Sequence, residues 1–171
     1  MKKFFKTFLP KLIPLVERGI CIAAFYFPLV ETLVFFGPKI YVYSSLSFRT
    51  FYFNSFLKMA KFYNNYDLLM FSFMAWLFIW CIHRSCPLTR FARFNIVQAI
   101  LLSVIFACLG TVYHYSPIVL RESLLGVFFA HSAFMGCFLL IAYCSLLIAY
   151  GRIPKIPIVS EGARLNMQHF G

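Results

Sequence analysis

Four long apolar runs, separated by more polar links, dominate the pattern of hydrophobic and polar positions along this chain. They cover residues 19–36, 67–83, 95–113 and 124–150. A bilayer core about 30 Å thick needs roughly 20 helical residues to cross it, so runs of this length predict transmembrane helices. The second run is short for a span, and the fourth is long enough to tilt or protrude. We therefore predict an all-α membrane protein with four transmembrane helices.

The link between the first and second runs carries a helical pattern of its own. Between residues 48 and 63, polar side chains recur every third or fourth position and form one stripe, while most aromatic side chains fall opposite. The stripe consists of Thr50, Asn54, Lys58 and Lys61. A basic stripe facing an aromatic one predicts an amphipathic helix in the membrane interface, over about 48–63. The alternative is a lid that packs on the helical bundle.

These patterns divide the chain into three parts. Residues 1–18 form a basic N-terminal lead-in, residues 19–150 the four-helix transmembrane domain, and residues 151–171 a C-terminal tail. Pro10 and Pro14 interrupt the lead-in, and no small-residue cleavage site follows it, so we interpret it as a retained segment.

Composition supports a membrane location. Of 171 residues, 62% are hydrophobic and 12% are charged, whereas a soluble domain has about half and a quarter respectively. A soluble fold of this size would have too few polar side chains to cover its surface. Lipid is the expected covering.

The charge is strongly basic, with 16 lysines and arginines against five acids. The cations fall between the apolar runs, as anchors to anionic headgroups do, rather than along one soluble face. This distribution predicts contact with membrane lipids and no binding of nucleic acid.

Counting cations on alternate links predicts the orientation. The lead-in has five, the 83–94 link three and the tail three, which gives eleven on one side, whereas the other two links together have five. Because Lys and Arg are retained on the side of insertion, both termini should face that compartment.

Catalytic patterns are missing from the sequence. The five acids include no close pair, and there is no glycine-rich phosphate loop or nucleophile elbow. Cys81 and Cys86 flank His83, but this is a weak metal signal, and inert packing of the cysteines is favoured. We predict no catalytic, metal or cofactor-binding residues, and no enzyme.

Two amides stand at the start of the third run. At about 100° per residue, Asn95 and Gln98 point the same way, while Arg93 projects nearly opposite, toward headgroups. The amides either bond to a neighbouring helix and fix its register, which periodicity favours, or line a polar path.

Two other ionisable side chains lie within spans. Glu31 follows Pro28 near the end of the first run and either snorkels to the interface or lies inward. His131 shares a face of the fourth helix with the small residues Ala142, Ser145 and Ala149, which would let another helix approach. A packing histidine is favoured over a proton carrier because no acid is identifiable as its partner.

Three stretches are similar to a known family. The sequence Arg93-Phe94-Asn95 followed by Gln98-Ala99-Ile100-Leu101-Leu102 resembles the signature of the twenty-kilodalton subunit family of the translocon at the inner envelope of chloroplasts. Residues 25–37, with Pro28 and Glu31, resemble its first span, and residues 151–163 resemble the exit after its last span. The family often has an acid at the position of Ser103, and the 37–66 link is unusually aromatic here.

The resemblance implies a subunit of the Tic complex, which passes precursor proteins across the inner plastid envelope. It implies other translocon subunits and precursor polypeptides in transit as partners, and both termini in the stroma. The short N-terminal segment resembles the plastid-encoded algal form. Whether the subunit is a pore or a scaffold stays open. The alternative is a small membrane enzyme or a carrier for a lipid-like molecule, using His131 and Asn95.

Overall fold

The computed structural model describes residues 15–43, 45–83 and 86–169, and these residues form helices with short connections and no strand. This confirms the all-α class. In chain order the helices are α1 (residues 15–24), α2 (Tyr26–Tyr43), α3 (Leu46–Ser55), α4 (Leu57–Asn65), α5 (Asp67–Ile82), α6 (Arg90–Tyr115), α7 (Ile118–Glu122), α8 (Leu124–Ala149) and α9 (Val159–His169).

The first apolar run is a helix with one irregular turn. The backbone N–H of Phe25 donates to the carbonyl of Ile22 at 3.0 Å, which is a tighter turn than that of an α-helix. Pro28 follows three residues later and has no N–H to donate, so the backbone is free to tighten here. Together α1 and α2 supply a candidate span over Leu15–Val42, longer than the predicted 19–36.

Helices α2 and α6 form the most extensive contact of the bundle. Helix α6 also packs on α5 and α9, and α2 also packs on α3, α4 and α8. Small residues make the α2–α6 approach close: a Cβ added to Gly110 would lie 2.2 Å from the ring of Phe35. The side chains of Ile96, Ala99 and Leu102 are buried along α6.

Among the described residues, three helical segments are long and apolar enough to cross a membrane, and a fourth span depends on a bend. The three are Leu15–Val42, Arg90–Tyr115 and Leu124–Ala149. Helix α5 has only 16 residues, and it meets α4 at an angle of 84°. The second predicted span exists only if this bent pair crosses as one unit.

The prediction of one continuous helix over 48–63 is wrong, because the segment forms two helices, α3 and α4, that are separated at Phe56. Its polar stripe is exposed as predicted, over Thr50, Asn54, Lys58 and Lys61. The opposite side packs on α2, as the lid alternative expects. The hydroxyl of Tyr52, for example, donates to the carbonyl of Leu33 at 3.3 Å, and burial raises the pKa of that hydroxyl.

Polar contacts define the two ends of the bundle. At one end, here called the tail end, the Thr89 hydroxyl donates to Glu17 at 2.7 Å and Arg18 donates to the carbonyl of Ala149 at 3.1 Å. At the opposite end Lys39 forms a salt bridge with Glu122. The lead-in, the 83–94 link and the tail therefore lie at one end, and the other two links lie at the opposite end. The cation count uses the same two groups.

Candidate functional site

The two amides of α6 are completely buried, and their partners differ. The Nε2 of Gln98 donates to the carbonyl of Pro154 at 3.3 Å and to the hydroxyl of Ser160 at 3.2 Å. Gln98 thus joins α6 to the segment that leads into α9. Asn95 instead donates from Nδ2 to the carbonyl of Phe91 in its own helix, at 2.8 Å.

The oxygen of each of these two side-chain amides has no hydrogen-bond donor within the part of the chain that the structure describes. Among the described residues, Oδ1 of Asn95 and Oε1 of Gln98 are buried without a donor. A buried acceptor without a partner costs about 1–3 kcal/mol. Among the described residues at the tail end of α6, these two oxygens are buried acceptors without a donor.

Ser160 is a functional neighbour that sequence reasoning missed. Its hydroxyl accepts from the backbone N–H of Ile156 at 2.7 Å and lies 3.3 Å from the carbonyl of Pro154, to which it donates. The hydroxyl of Ser160 thus bonds to both sides of the turn before α9 and also accepts a hydrogen bond from Gln98. The signal in the sequence was the pair Pro154 and Pro157, because prolines leave a turn short of backbone donors.

Arg93, which the sequence predicts to project toward headgroups, bonds to the end of α5. Its Nε donates to the carbonyl of Cys81 at 2.6 Å, and its terminal nitrogen donates to that of Ile82 at 2.9 Å. The last carbonyls of a helix have no partner within it, so a neighbouring cation stabilises them. Phe94, the next residue, is half-buried and lines a cavity of about 440 Å³ along the tail.

Arginines play the same part at other helix ends. Each donates to a carbonyl in the last turn of a helix or directly after it, which satisfies part of the helix terminus. Arg18 bonds to Ala149 of α8, Arg49 to Val42 of α2, Arg93 to Cys81 and Ile82 of α5, and Arg121 to His114 of α6.

Glu31 lies inward, which answers the choice that the sequence left open. It is buried and accepts a hydrogen bond from the hydroxyl of Tyr63, on α4. It also lines a crevice of about 380 Å³ between α5 and α6, together with Met74, Ser103 and Thr111. Glu31 is the one acidic side chain among the described residues that line this crevice.

His131 bonds within its own helix, and the small residues on its face are not among the side chains that α8 buries in the bundle. Its Nδ1 lies 2.9 Å from the carbonyl of Val127 in the same helix. Helix α8 buries a different set of side chains from the predicted face: Ala130, Phe134, Cys137, Ile141, Cys144 and Ile148. His131 and Asn95 both bond to their own helices, so the structure does not join them into the site that a membrane enzyme or carrier would need.

The cysteines pack in the apolar interior or along the helices. Cys81 and Cys86 are buried free thiols, and His83 between them is exposed. The described residues contain no group of three or more His, Cys, Asp and Glu side chains able to hold a metal ion.

The helices are long and apolar, and they are joined by the buried amide of Gln98 and by arginines at helix ends. These features define the class of this protein as a helical membrane protein with several candidate spans. Comparison with known families identifies it more closely. The family model described as "Chloroplast import apparatus Tic20-like" matches residues 8–163, so the chain belongs to that family.

Individual relatives agree. The chain is 27% identical to the "Tic20 family protein Ycf60" of Gracilaria tenuistipitata var. liui, over 92% of this chain and 78% of that protein. It is 28% identical to the protein of the same name from Pyropia yezoensis, over 90% and 76% respectively. The resemblance based on residues 93–102 is thereby confirmed. Family membership and apolar helices indicate a plastid membrane protein related to protein import.

Proposed function

We propose that this chain is a membrane subunit of the protein-import translocon of the inner plastid envelope. The observation that carries the proposal is the family match over residues 8–163, which includes every candidate span. In this proposal the bent pair α4–α5 crosses the membrane as one unit, giving four spans with both termini in the stroma. Its partners are other translocon subunits and precursor polypeptides.

The buried polar groups at the tail end support a scaffold role for that part of α6. Gln98 is bonded to Pro154 and Ser160, and Arg93 to the end of α5. A side chain committed to such bonds holds neighbouring segments in register, as interhelical polar contacts do in membranes. We therefore assign Gln98 to the packing of the tail on α6 rather than to the path of a precursor, whereas Asn95 is bonded to Phe91 of its own helix.

The crevice between α5 and α6 is the better candidate for contact with a precursor. A bundle of this size is packed solid, so an extended polypeptide would pass beside it rather than through it. The crevice is lined by Glu31, Ser103 and Thr111 among apolar side chains, and Val104 and Cys108 are exposed at its rim. Polar groups at membrane depth suit a surface on which a hydrated chain moves.

Site-specific photocrosslinking tests this assignment. A crosslinker at Val104 should capture a precursor arrested during import into isolated plastids, whereas one at Leu139 should not. Leu139 is the matched control because it is also an exposed aliphatic side chain, on α8, and does not line the crevice. Equal capture at both sites would contradict a path along the crevice, and capture mainly from Asn95 would make the amides path residues.

Co-purification tests the function itself. The tagged chain, isolated from envelope membranes during import, should bring down a large complex that contains precursor. A chain that elutes alone under conditions in which other import components stay assembled would contradict membership of the translocon.

A further inference from the structure

A second cavity lies at the opposite end of the bundle from the tail, where α6 ends, α7 crosses and α8 begins. Its volume is about 510 Å³, within the roughly 300–1,000 Å³ of typical small-molecule sites. Its walls are almost entirely apolar and include Leu109, Val112, Leu120, Leu125, Phe128 and Phe129. These six side chains are exposed, so the cavity is a groove that opens sideways from two candidate spans.

One cation belongs to this groove. Arg121, at the end of α7, lines it and donates through one terminal nitrogen to the carbonyl of His114 at 2.9 Å. Its Nε is buried without an acceptor among the described residues. The adjacent acid, Glu122, is bonded to Lys39 instead. Among the described residues Arg121 therefore has no acidic partner, and its guanidinium lies beside the groove as an uncompensated cation.

We propose that this groove binds an anionic lipid of the surrounding bilayer, with an acyl chain along the groove and the acidic headgroup on Arg121. Hydrocarbon suits the apolar walls, and the sideways opening gives the chain direct access from the membrane. Guanidinium groups bind phosphate and sulfonate oxygens through paired N–H donors. Basic pockets between transmembrane helices bind anionic headgroups in the same way.

Position along the bundle agrees with this assignment. Arg121 and the salt bridge between Lys39 and Glu122 lie at the same end of the bundle. This end is where the apolar length of α6 stops and headgroups begin. An acyl chain anchored at Arg121 would run back along the exposed side chains of Val112 and Leu109. This lipid site is a further property of the chain and does not depend on the proposed role in protein import.

Photolabelling with a defined lipid tests the proposal. The full chain in nanodiscs would be exposed to phosphatidylglycerol that carries a photoreactive group on one acyl chain. We expect adducts on Val112 and on residues 125–129, removed by competition with unlabelled phosphatidylglycerol but not with phosphatidylcholine. Arg121→Gln should reduce this labelling about fivefold, the effect of one cation near a headgroup, and Arg121→Lys should restore much of it.

Arg49→Gln is the matched control. Arg49 also donates to a carbonyl near the end of a helix, so its loss removes the same charge and the same kind of contact, but it does not line the groove. It should leave labelling unchanged. Equal loss in both variants would contradict the proposal, as would equal labelling by a phosphatidylcholine probe or adducts mainly outside the groove.

A groove-filling variant separates lipid binding from folding. Ser132 lines the groove and is exposed, so Ser132→Phe fills the space while Arg121 stays in place. We expect labelling to fall to the phosphatidylcholine level with unchanged helix content and elution volume. Full labelling of this variant would overturn the proposal. A chain that labels normally but captures no precursor would contradict the import proposal alone.

Discussion

Several buried polar side chains of this bundle bond to the backbone one turn earlier in their own helix. Thr32 donates to the carbonyl of Pro28 at 2.8 Å, and Asn95 donates to that of Phe91. Such a bond hides a polar group from hydrocarbon without a second helix. It explains how Asn95 is tolerated in α6, and it distinguishes Asn95 from Gln98, whose partners lie on the tail.

The difference predicts separate effects of two substitutions. Gln98→Leu should release the segment that leads into α9, because it removes both bonds to Pro154 and Ser160. The expected loss is about 1 kcal/mol, seen as faster hydrogen exchange over Val159–His169. Asn95→Leu is the control and should leave exchange there unchanged. Equal exchange in the two variants would mean that Gln98 does not fasten the tail.

A second prediction at this scale concerns the pair Glu31 and Tyr63. Tyr63→Phe removes the hydroxyl that donates to the buried carboxyl group. Leaving that group without its donor should lower the free energy of unfolding by about 1–3 kcal/mol, measured by denaturation in detergent micelles. Tyr66→Phe is the control, because Tyr66 is exposed on the same stretch of chain. Equal free energies of unfolding for Tyr63→Phe and Tyr66→Phe would contradict this prediction.

At the scale of elements, two glycines in the middle of long helices give opposite predictions. A Cβ at Gly110 would lie 2.2 Å from the ring of Phe35, whereas one at Gly136 would meet nothing within 4 Å. Gly110→Ala should therefore separate α2 from α6 and destabilise the bundle by about 1–3 kcal/mol. Gly136→Ala should be neutral or stabilise α8 by up to about 1 kcal/mol. Unfolding of both variants in mixed micelles measures the difference, and equal stabilities would contradict the close approach.

The elements also show what sequence patterns can and cannot predict. Apolar runs predicted the helices of the long spans because hydrophobic length is a local property. The 84° bend between α4 and α5 was not predicted, since it depends on how both helices pack around α2 and α6. Likewise, periodicity put Arg93 opposite the amides but could not identify its partner, because the carbonyls of α5 are neighbours only in the folded bundle.

At the scale of the whole molecule, the orientation in the membrane can be tested directly. Lys155 lies on the tail and Lys58 on the link between the first two predicted spans, and both are exposed. With Lys155→Cys and Lys58→Cys introduced singly into a chain whose six native cysteines are replaced by serine, a membrane-impermeant maleimide added from the stromal side should modify only the first. Modification of both positions from that side would contradict an arrangement with four spans.

The bond between Arg18 and Ala149 has a consequence for the order in which the protein is made. Its partners are 131 residues apart, so the arginine emerges from the ribosome long before α8 exists. During synthesis its charge is free to hold the N-terminal segment on the side of insertion. Arg18 can bond to Ala149 only after α8 has been synthesised. We expect phenylglyoxal to modify Arg18 readily in a nascent chain halted after α6 and more slowly in the completed protein.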